Sequence, residues 1–336
     1  MDSALQRLSG RTVLVTGAAG FLGSCIVRQL ATVPCTIRRL HRHAVPEPLV
    51  VGDSIARVED IVGDVRVLDT WVAATADVDV IMHLAGQTSV YQAVEDPDAD
   101  LTANVRPVLH LMHACRAARR RPAVIFAGTA TEVGLTTTSE PVDETQPDRP
   151  ITIYDIHKWM AEQYLEVYTR DSVVDATTLR LANVYGPGPA AGSSDRGFLT
   201  AMVKRALKGE ALTVYGAGEF VRDYVYVDDV ARAFVAAAAS TEKVKGRHFL
   251  VGSGRSTTIA QALECVSDRV AVKTGRRAPI RSVEPPAGLS PIEQRQFVAD
   301  PRALRQATGW HAGVSLEEGI DRTIEALCSR PGSQRD

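Results

Sequence analysis

Tyr154 and Lys158 stand four residues apart. On a helix this spacing puts a phenol and an ammonium on one face. A free phenol ionises only near pH ~10. A neighbouring cation favours the ionised form and lowers that value. Such a pair can pass a proton to or from a substrate oxygen. A second chemistry is offered by Thr16–Gly23, TGAAGFLG, where Gly17, Gly20 and Gly23 recur at every third residue. Glycines permit a tight turn and let backbone approach a pyrophosphate. A helix opening there adds free N–H groups and the positive end of its dipole. The turn needs a strand before it and a helix after it, and the Tyr–Lys pair needs a helix facing the same place.

The first half of the chain supplies that alternation. Thr12–Thr16 is a short apolar run ending in the glycines, and Phe21–Ala31 carries Leu22, Ile26 and Leu30 at helical spacing. Strands are expected at Thr36–Leu40, at Ile61–Val62 before Gly63 and Asp64, and at Val78–Leu84, an almost unbroken apolar run suited to a strand covered on both faces. A long helix is expected over Leu101–Arg119, a strand over Ala123–Ala127, the Tyr–Lys helix over Tyr154–Arg170 and a last strand over Ala176–Leu181. Alternating strands and helices predict an α/β fold with a doubly wound parallel sheet, the Rossmann arrangement. Ligands on such sheets lie beyond the carboxyl ends of the strands.

The second half is more mixed. A helix is expected over Arg196–Lys208, a strand over Ala211–Tyr215, an alternating run over Phe220–Val227 and a helix from Asp228. Thr258 with Gln261, and Ser315 with Glu318, have capping-box spacing, and Asp300 precedes Pro301 as a helix opening. We expect a dinucleotide-binding domain over residues 11–186, a return segment over 221–253, and a smaller mixed α/β C-terminal domain from 187–220 and 254–330.

The end of the second strand selects between cofactors. An acidic residue there binds a ribose 2′-hydroxyl, whereas an arginine accommodates a 2′-phosphate. The sequence reads His41-Arg42-His43 with no carboxylate before Glu47. This favours NADP (NADPH), with NAD as the alternative. Asp64 can accept from the adenine amino group or cap a helix.

Taken together the motifs resemble an extended short-chain dehydrogenase/reductase of the nucleotide-sugar epimerase/dehydratase/ketoreductase branch. The resemblance rests on TGAAGFLG, GDV at Gly63–Val65, HLAG at His83–Gly86, Asn104-Val105, YDIHK at Tyr154–Lys158, LRLANVYGPG at Leu179–Gly188 and VYGAGEFVRDYVYVDD at Val214–Asp229. It implies Thr129, Tyr154 and Lys158 as the catalytic set. It implies cofactor contacts from Gly17, Gly20, Phe21, Leu22, Gly23, His41, Arg42, Asp64, Val65, Leu84, Ala85, Gly86, Asn104 and Leu181, besides Tyr154 and Lys158. Substrate contacts are implied for Thr88, Thr131, Asn183, Tyr215, Arg222 and Arg295. In galactose epimerases the strand end reads SSSATVYG. Val133 stands here in place of the tyrosine, and a different offset would turn Glu132 inward and leave Thr131 as the fallback hydroxyl. The usual second diphosphate arginine is replaced by Ser290-Pro291-Ile292-Glu293, with Arg295 as the nearby substitute.

Other classes fall away. Thirty-eight basic against forty acidic residues give a net charge of -2, which excludes a strongly basic polynucleotide binder. No leader-like segment or membrane-length apolar run is apparent, and the five cysteines form no CxxC pair, so we expect a cytoplasmic enzyme without disulfides. His110, His113 and Cys115 do not make a metal set, because Cys115 points elsewhere on a helix; no metal is expected. Arg116, Arg119, Arg120 and Arg121 suit a helix C-terminus.

The resemblance leaves several reactions open. A 4,6-dehydratase would carry Thr-Asp-Glu after the fifth strand, and the Asp is absent. Epimerisation consumes no cofactor and needs no 2′-phosphate site. His41-Arg42 therefore favours an NADPH-dependent ketoreductase, and the resemblance implies a dTDP-4-keto-6-deoxyhexose 4-ketoreductase acting in deoxysugar biosynthesis on a dTDP-hexose. An NAD-dependent nucleotide-sugar 4-epimerase is the alternative, and a non-catalytic NADP-binding sensor the third reading. Relatives pair two long helices across a homodimer, which points to Leu101, Val105, Val108, Leu109 and Met112.

Overall fold

The computed structural model describes residues 3–43, 54–136, 140–189 and 197–329. The chain opens with α1 (Ser3–Gln6), β1 (Thr12–Thr16), α2 (Phe21–Leu30), β2 (Thr36–His41), β3 (Arg57–Val62), α3 (Leu68–Ala74) and β4 (Val80–His83). It continues through α4 (Val90–Glu95), α5 (Pro97–Asn104), α6 (Arg106–Ala118), β5 (Ala123–Thr129), a 3-10 turn over Ala130–Val133, α7 (Ile153–Arg170) and β6 (Asp175–Leu181). Then come β7 (Asn183–Tyr185), α8 (Phe198–Leu207), β8 (Leu212–Tyr215), β9 (Val221–Arg222), β10 (Tyr224–Tyr226), α9 (Val227–Ala238), α10 (Thr241–Val244) and β11 (Arg247–Val251). The last elements are β12 (Thr257–Thr258), α11 (Ile259–Thr274), β13 (Ile280–Val283), α12 (Arg302–Thr308) and α13 (Leu316–Cys328).

Seven strands form one sheet in the order β11-β6-β5-β4-β1-β2-β3, and every neighbour is parallel. This is the expected doubly wound α/β sheet. Successive side chains alternate between its faces. Leu14 of β1 packs with Trp71, Leu111, Phe126 and Leu165 on one side, while Val13 and Val15 pack with Ile26, Val230 and Phe234 on the other. All four residues of β4 are buried, as its apolar run requires. The strand order reverses direction between β1 and β4, and ligands of such sheets sit in the crevice at that point. Smaller pairs, β10 with β7, β12 with β9 and β13 with β8, lie outside the main sheet.

Local differences from the sequence expectation have identifiable causes. The helix expected over Leu101–Arg119 is broken at Val105 into α5 and α6, because Pro107 has no N–H to continue the ladder. The strand ending at Val62 begins at Arg57. Its polar alternation, RVEDIV, suits a sheet edge that exposes Val58 and Val62. Phe220–Val227 splits at Asp223, whose buried carboxylate accepts from the Ser253, Gly254 and Ala299 amides. Thr258 and Gln261 form the full capping box, whereas Ser315 caps the Glu318 amide without the return bond being part of its cap. Arg196 lies outside the described residues. Among the described residues no helix is long and apolar enough to cross a membrane.

Candidate active site

A cleft of about 1380 Å³ runs over the carboxyl ends of β1, β2, β4, β5 and β6. Gly17, Gly20, Phe21, Leu22 and Gly23 form one wall. Gly17 has φ +67°, a left-handed conformation that L side chains rarely adopt. A Cβ at Gly23 would lie 2.2 Å from the Gly17 carbonyl oxygen, so only glycine lets α2 start against the turn. The α2 N-cap is Gly20, and no side chain caps it. Its first amides thus face the cleft with no side chain to satisfy them, which fits a pyrophosphate. Leu84, Ala85 and Gly86 close the opposite side.

At the adenosine end the structure separates residues that the sequence grouped. Arg42 is exposed at the rim. His41 is buried, and its Nε2 meets Asp60 Oδ1 at 2.8 Å, although the residue borders the cleft. Arg39 donates two further bonds to the same carboxylate, at 2.8 and 2.6 Å. His41 is therefore committed to Asp60 of the neighbouring strand, a partner that sequence adjacency conceals, and the basic cluster shrinks to Arg42. Asp64 lines the cleft beside Val65 and accepts a bidentate pair from Arg66, which holds its carboxyl below the usual range. It does not cap α3, whose N-cap is Val67.

Thr129, Tyr154 and Lys158 all face the cleft. Thr129 ends β5; its hydroxyl favours the ionised form of the Tyr154 phenol and lies 2.8 Å from the hydroxyl of Thr131. Thr152 caps α7 by accepting from the Asp155 amide, and this sets the register that turns Tyr154 and Lys158 inward. Burial pushes the phenol up, and the Asp155, Glu132 and Asp100 charges push the same way. Burial pulls Lys158 down to about 8, against the Glu132, Asp100 and Glu162 charges. Burial thus weakens the charged form of the lysine while three carboxylates support it, and the phenol on the same helix stays protonated in the free protein.

Some expected site residues lie elsewhere. Thr131 Oγ1 donates to Asp155 Oδ1 at 2.5 Å and does not line the cleft. Asn104 is buried beneath Gly86 and donates to Asp100, so it supports the wall without facing the ligand space. Tyr215 is about half exposed on β8, which pairs with β13 away from the main sheet. His113 is exposed while Cys115 turns into the core, so the histidine cluster does not converge.

Thr88, Asn183 and Tyr224 also line the cleft. Arg295 stands behind Asn183 and donates to its Oδ1 at 3.3 Å. Arg222 is buried and donates to the Arg295 and Glu293 carbonyls at 2.6 and 2.7 Å. The Ser290–Arg295 segment therefore brings a second guanidinium beside the first. Burial, then Arg222, lower Arg295 to about 10. The buried Tyr224 hydroxyl has no partner among the described residues. Neither arginine lines the cleft: both sit behind its wall, held by the Glu293 carboxylate and nearby carbonyls, so of the expected anion-binding groups only Asn183, with Tyr224, faces the ligand space. Sequence reasoning missed Tyr224, which the alternation of Tyr224–Tyr226 could have flagged.

It also missed what lies under Thr129. Glu132 is fully buried and accepts from the Thr129 amide at 2.9 Å. Arg180 lies 3.1 Å from Glu132 Oε2, donates to both oxygens of Glu162 at 3.0 and 2.7 Å and to both of Asp148 at 2.5 and 2.9 Å. The inward offset of Glu132 is the one that obtains. Gly128 makes room for it, since a Cβ there would meet Thr178, Arg180 and Glu132.

The chain matches the profile of the NAD dependent epimerase/dehydratase family over residues 13–252. It is 31% identical over 315 residues to a UDP-glucose 4-epimerase of Mycolicibacterium smegmatis, covering 93% of this chain and 97% of that protein. The solved structure of a UDP-glucose 4-epimerase from Thermotoga maritima with UDP-glucose is 30% identical, with TM-score 0.81, over 94% of this chain and 98% of that one. That of a Thermus thermophilus UDP-glucose 4-epimerase complex with NAD is 31% identical, with TM-score 0.80, over 95% and 99%.

Proposed function

The chain belongs to the NAD dependent epimerase/dehydratase family, and from that premise we propose that it is a nucleotide-sugar 4-epimerase working with bound NAD on a UDP-hexose. The observation that carries this is the convergence of Thr129, Tyr154 and Lys158 on a cleft whose far wall is the Gly17–Gly23 turn. The likeness to 4-epimerases along nearly the whole chain supports the reaction. Arg42 stays at the cleft rim while His41 is bonded to Asp60, so the choice of NAD over NADPH rests on the likeness to 4-epimerases and not on the end of β2.

When bound, the nicotinamide supplies the hydride acceptor and donor. The protein's own residues do the rest. Once its phenol is ionised in the occupied site, Tyr154 takes the proton of the sugar hydroxyl, becoming neutral, and gives it back to the keto oxygen when the hydride returns. Thr129 hydrogen-bonds the same oxygen, and Lys158 binds the nicotinamide ribose and stabilises the ionised phenol. Gly17–Gly23 hold the pyrophosphate, and Asp64 with Val65 meet the adenine. Asn183 and Tyr224 face the sugar diphosphate, with Arg222 and Arg295 behind them as the nearest guanidinium charge and Thr88 beside the sugar. We divide the chain accordingly, residues 11–186 with 221–253 for the dinucleotide and 187–220 with 254–330 for the nucleotide sugar.

Purified protein incubated with UDP-glucose and no added cofactor is expected to yield UDP-galactose, and acid release is expected to liberate NAD⁺. Stoichiometric NADPH consumption by a 4-keto-6-deoxy nucleotide sugar, with no isomerisation, overturns the proposal in favour of the reductase that Arg42 at the cleft rim would serve.

The chain is further proposed to be a homodimer through α7 and its neighbours. Val108 and Met112 of α6 face its own core, so the apolar face on offer is Tyr91 and Val94 of α4 with Ile156, Tyr164 and Val167 of α7, all exposed. Light scattering is expected to give twice the 36.2 kDa chain mass; a monomer mass refutes this.

A further inference from the structure

We propose that Phe126 is a positioning residue, whose ring face holds the Lys158 ammonium and is itself fixed by His83 and the Thr16 turn. Lys158 Nζ lies 4.0 Å from the centroid of the Phe126 ring. A cation over an aromatic face is attracted by the ring quadrupole, more strongly once desolvated. Lys158 is buried, so the ring replaces part of the hydration it has lost. Phe126 is in the middle of β5 and does not line the cleft. It acts on the reaction only through Lys158.

Beneath Phe126 lies His83, with ring centroids 5.7 Å apart in a stacked arrangement. The hydrogen bonds around Thr16 settle the state of His83. The Thr16 hydroxyl accepts from the Leu84 and Ala85 amides, each at 3.1 Å. Its one proton is therefore left for His83 Nδ1, 2.8 Å away. His83 carries its own proton on Nε2 and is neutral, in keeping with the way burial drives it down to about 3. A neutral ring avoids a second cation next to Lys158. Trp71 packs edge-on against His83 at 5.3 Å and donates from its indole to the Val65 carbonyl at 2.7 Å. One buried stack thus links the adenine turn at Val65, the loop at Leu84–Ala85 and the catalytic ammonium. The titratable groups acting on Lys158 are Glu162 on its own helix, Glu132 after β5 and Asp100 on α5, with His83 on β4 close by and Tyr154 one turn earlier on α7.

The test replaces Phe126 with 3,4,5-trifluorophenylalanine, which keeps the ring's shape and depletes the charge on its face. The full chain is labelled with [6-¹³C]lysine, and the Lys158 signal is assigned by its loss in Lys158→Arg. Weaker support for the charged form is expected to lower the Lys158 titration midpoint by roughly half a pH unit. The turnover arm rests on the epimerase reading. There kcat is expected to fall about 3–10-fold at unchanged KM, with the alkaline limb of the pH profile moving to lower pH. Phe126→Leu is expected to act in the same direction. Phe249→Leu, which removes an equally buried ring on β11, should change stability without moving the Lys158 midpoint. An unmoved midpoint in the folded trifluoro variant overturns the proposal. Absence of turnover in the parent protein sinks the epimerase reading alone, because the NMR arm needs no substrate.

Discussion

Tyr154→Phe is expected to lower kcat by roughly 10²–10⁴-fold, the usual contribution of a positioned acid–base group, while cofactor binding persists. The substitution removes one oxygen and leaves the ring that fills the site. In the free protein the phenol resists ionisation. Burial is the largest reason, and the Asp155, Glu132 and Asp100 charges add to it. The Thr129 hydroxyl works the other way. Losing the Tyr154 hydroxyl therefore takes away the proton acceptor, and among the described residues of the cleft wall no other group stands in its place. Thr131, the fallback hydroxyl, is bonded to Asp155. Steady-state kcat with UDP-glucose, set beside the NAD⁺ released on acid treatment, checks this. Full activity in the variant would sink the mechanism. Retained NAD⁺ with no turnover in either protein would favour the sensor reading.

Much of the fold was legible because it follows from local rules. The Gly17 turn, the wholly buried β4 and the helix carrying Tyr154 and Lys158 each announce themselves in a few adjacent residues. What was hidden depends on partners far apart in the chain. His41 and Arg42 are neighbours in sequence, yet one is bound to Asp60 on the next strand and the other faces water. The local motif left the offset of Glu132 open, and what an inward Glu132 meets is Arg180, almost fifty residues later. The Asn183–Arg295 contact spans two separate segments, so no spacing could have revealed it. The break at Val105 was readable from Pro107 and was passed over because the flanking residues continue a helical pattern.

The buried Arg180 cluster yields the largest expected change in stability. Arg180 is 1% exposed and pairs with Glu162, Asp148 and Glu132. Removing one partner of a buried ionic set leaves its counter-charges desolvated, at a typical cost of about 3–5 kcal/mol. Arg180→Leu is therefore expected to lower the urea midpoint by that equivalent, with the slope unchanged. Arg180→Lys should recover little, since one ammonium cannot reproduce the forked donors that two carboxylates receive. The pH dependence has a definite sign. Burial alone would raise Glu162, but hydrogen bonds from His248 and Arg180 outweigh it and hold the group at about 2. A depressed folded value means that its contribution is complete above the unfolded value near pH 4.5 and is lost as pH falls toward 2. Glu132 behaves oppositely. Burial, then the Glu162 charge, drive it well above the carboxylate range, so its contribution is present at low pH and is lost as pH rises through its folded value. Urea midpoints of the parent protein should thus decline between pH 4.5 and 2, and Arg180→Leu should flatten that decline. An equal decline in both proteins would show that the acid sensitivity arises elsewhere. Because Glu132 holds the Thr129 amide, Arg180→Leu is also expected to reduce kcat before it unfolds the chain. The stability of the sheet and the placement of the catalytic hydroxyl rest on the same guanidinium.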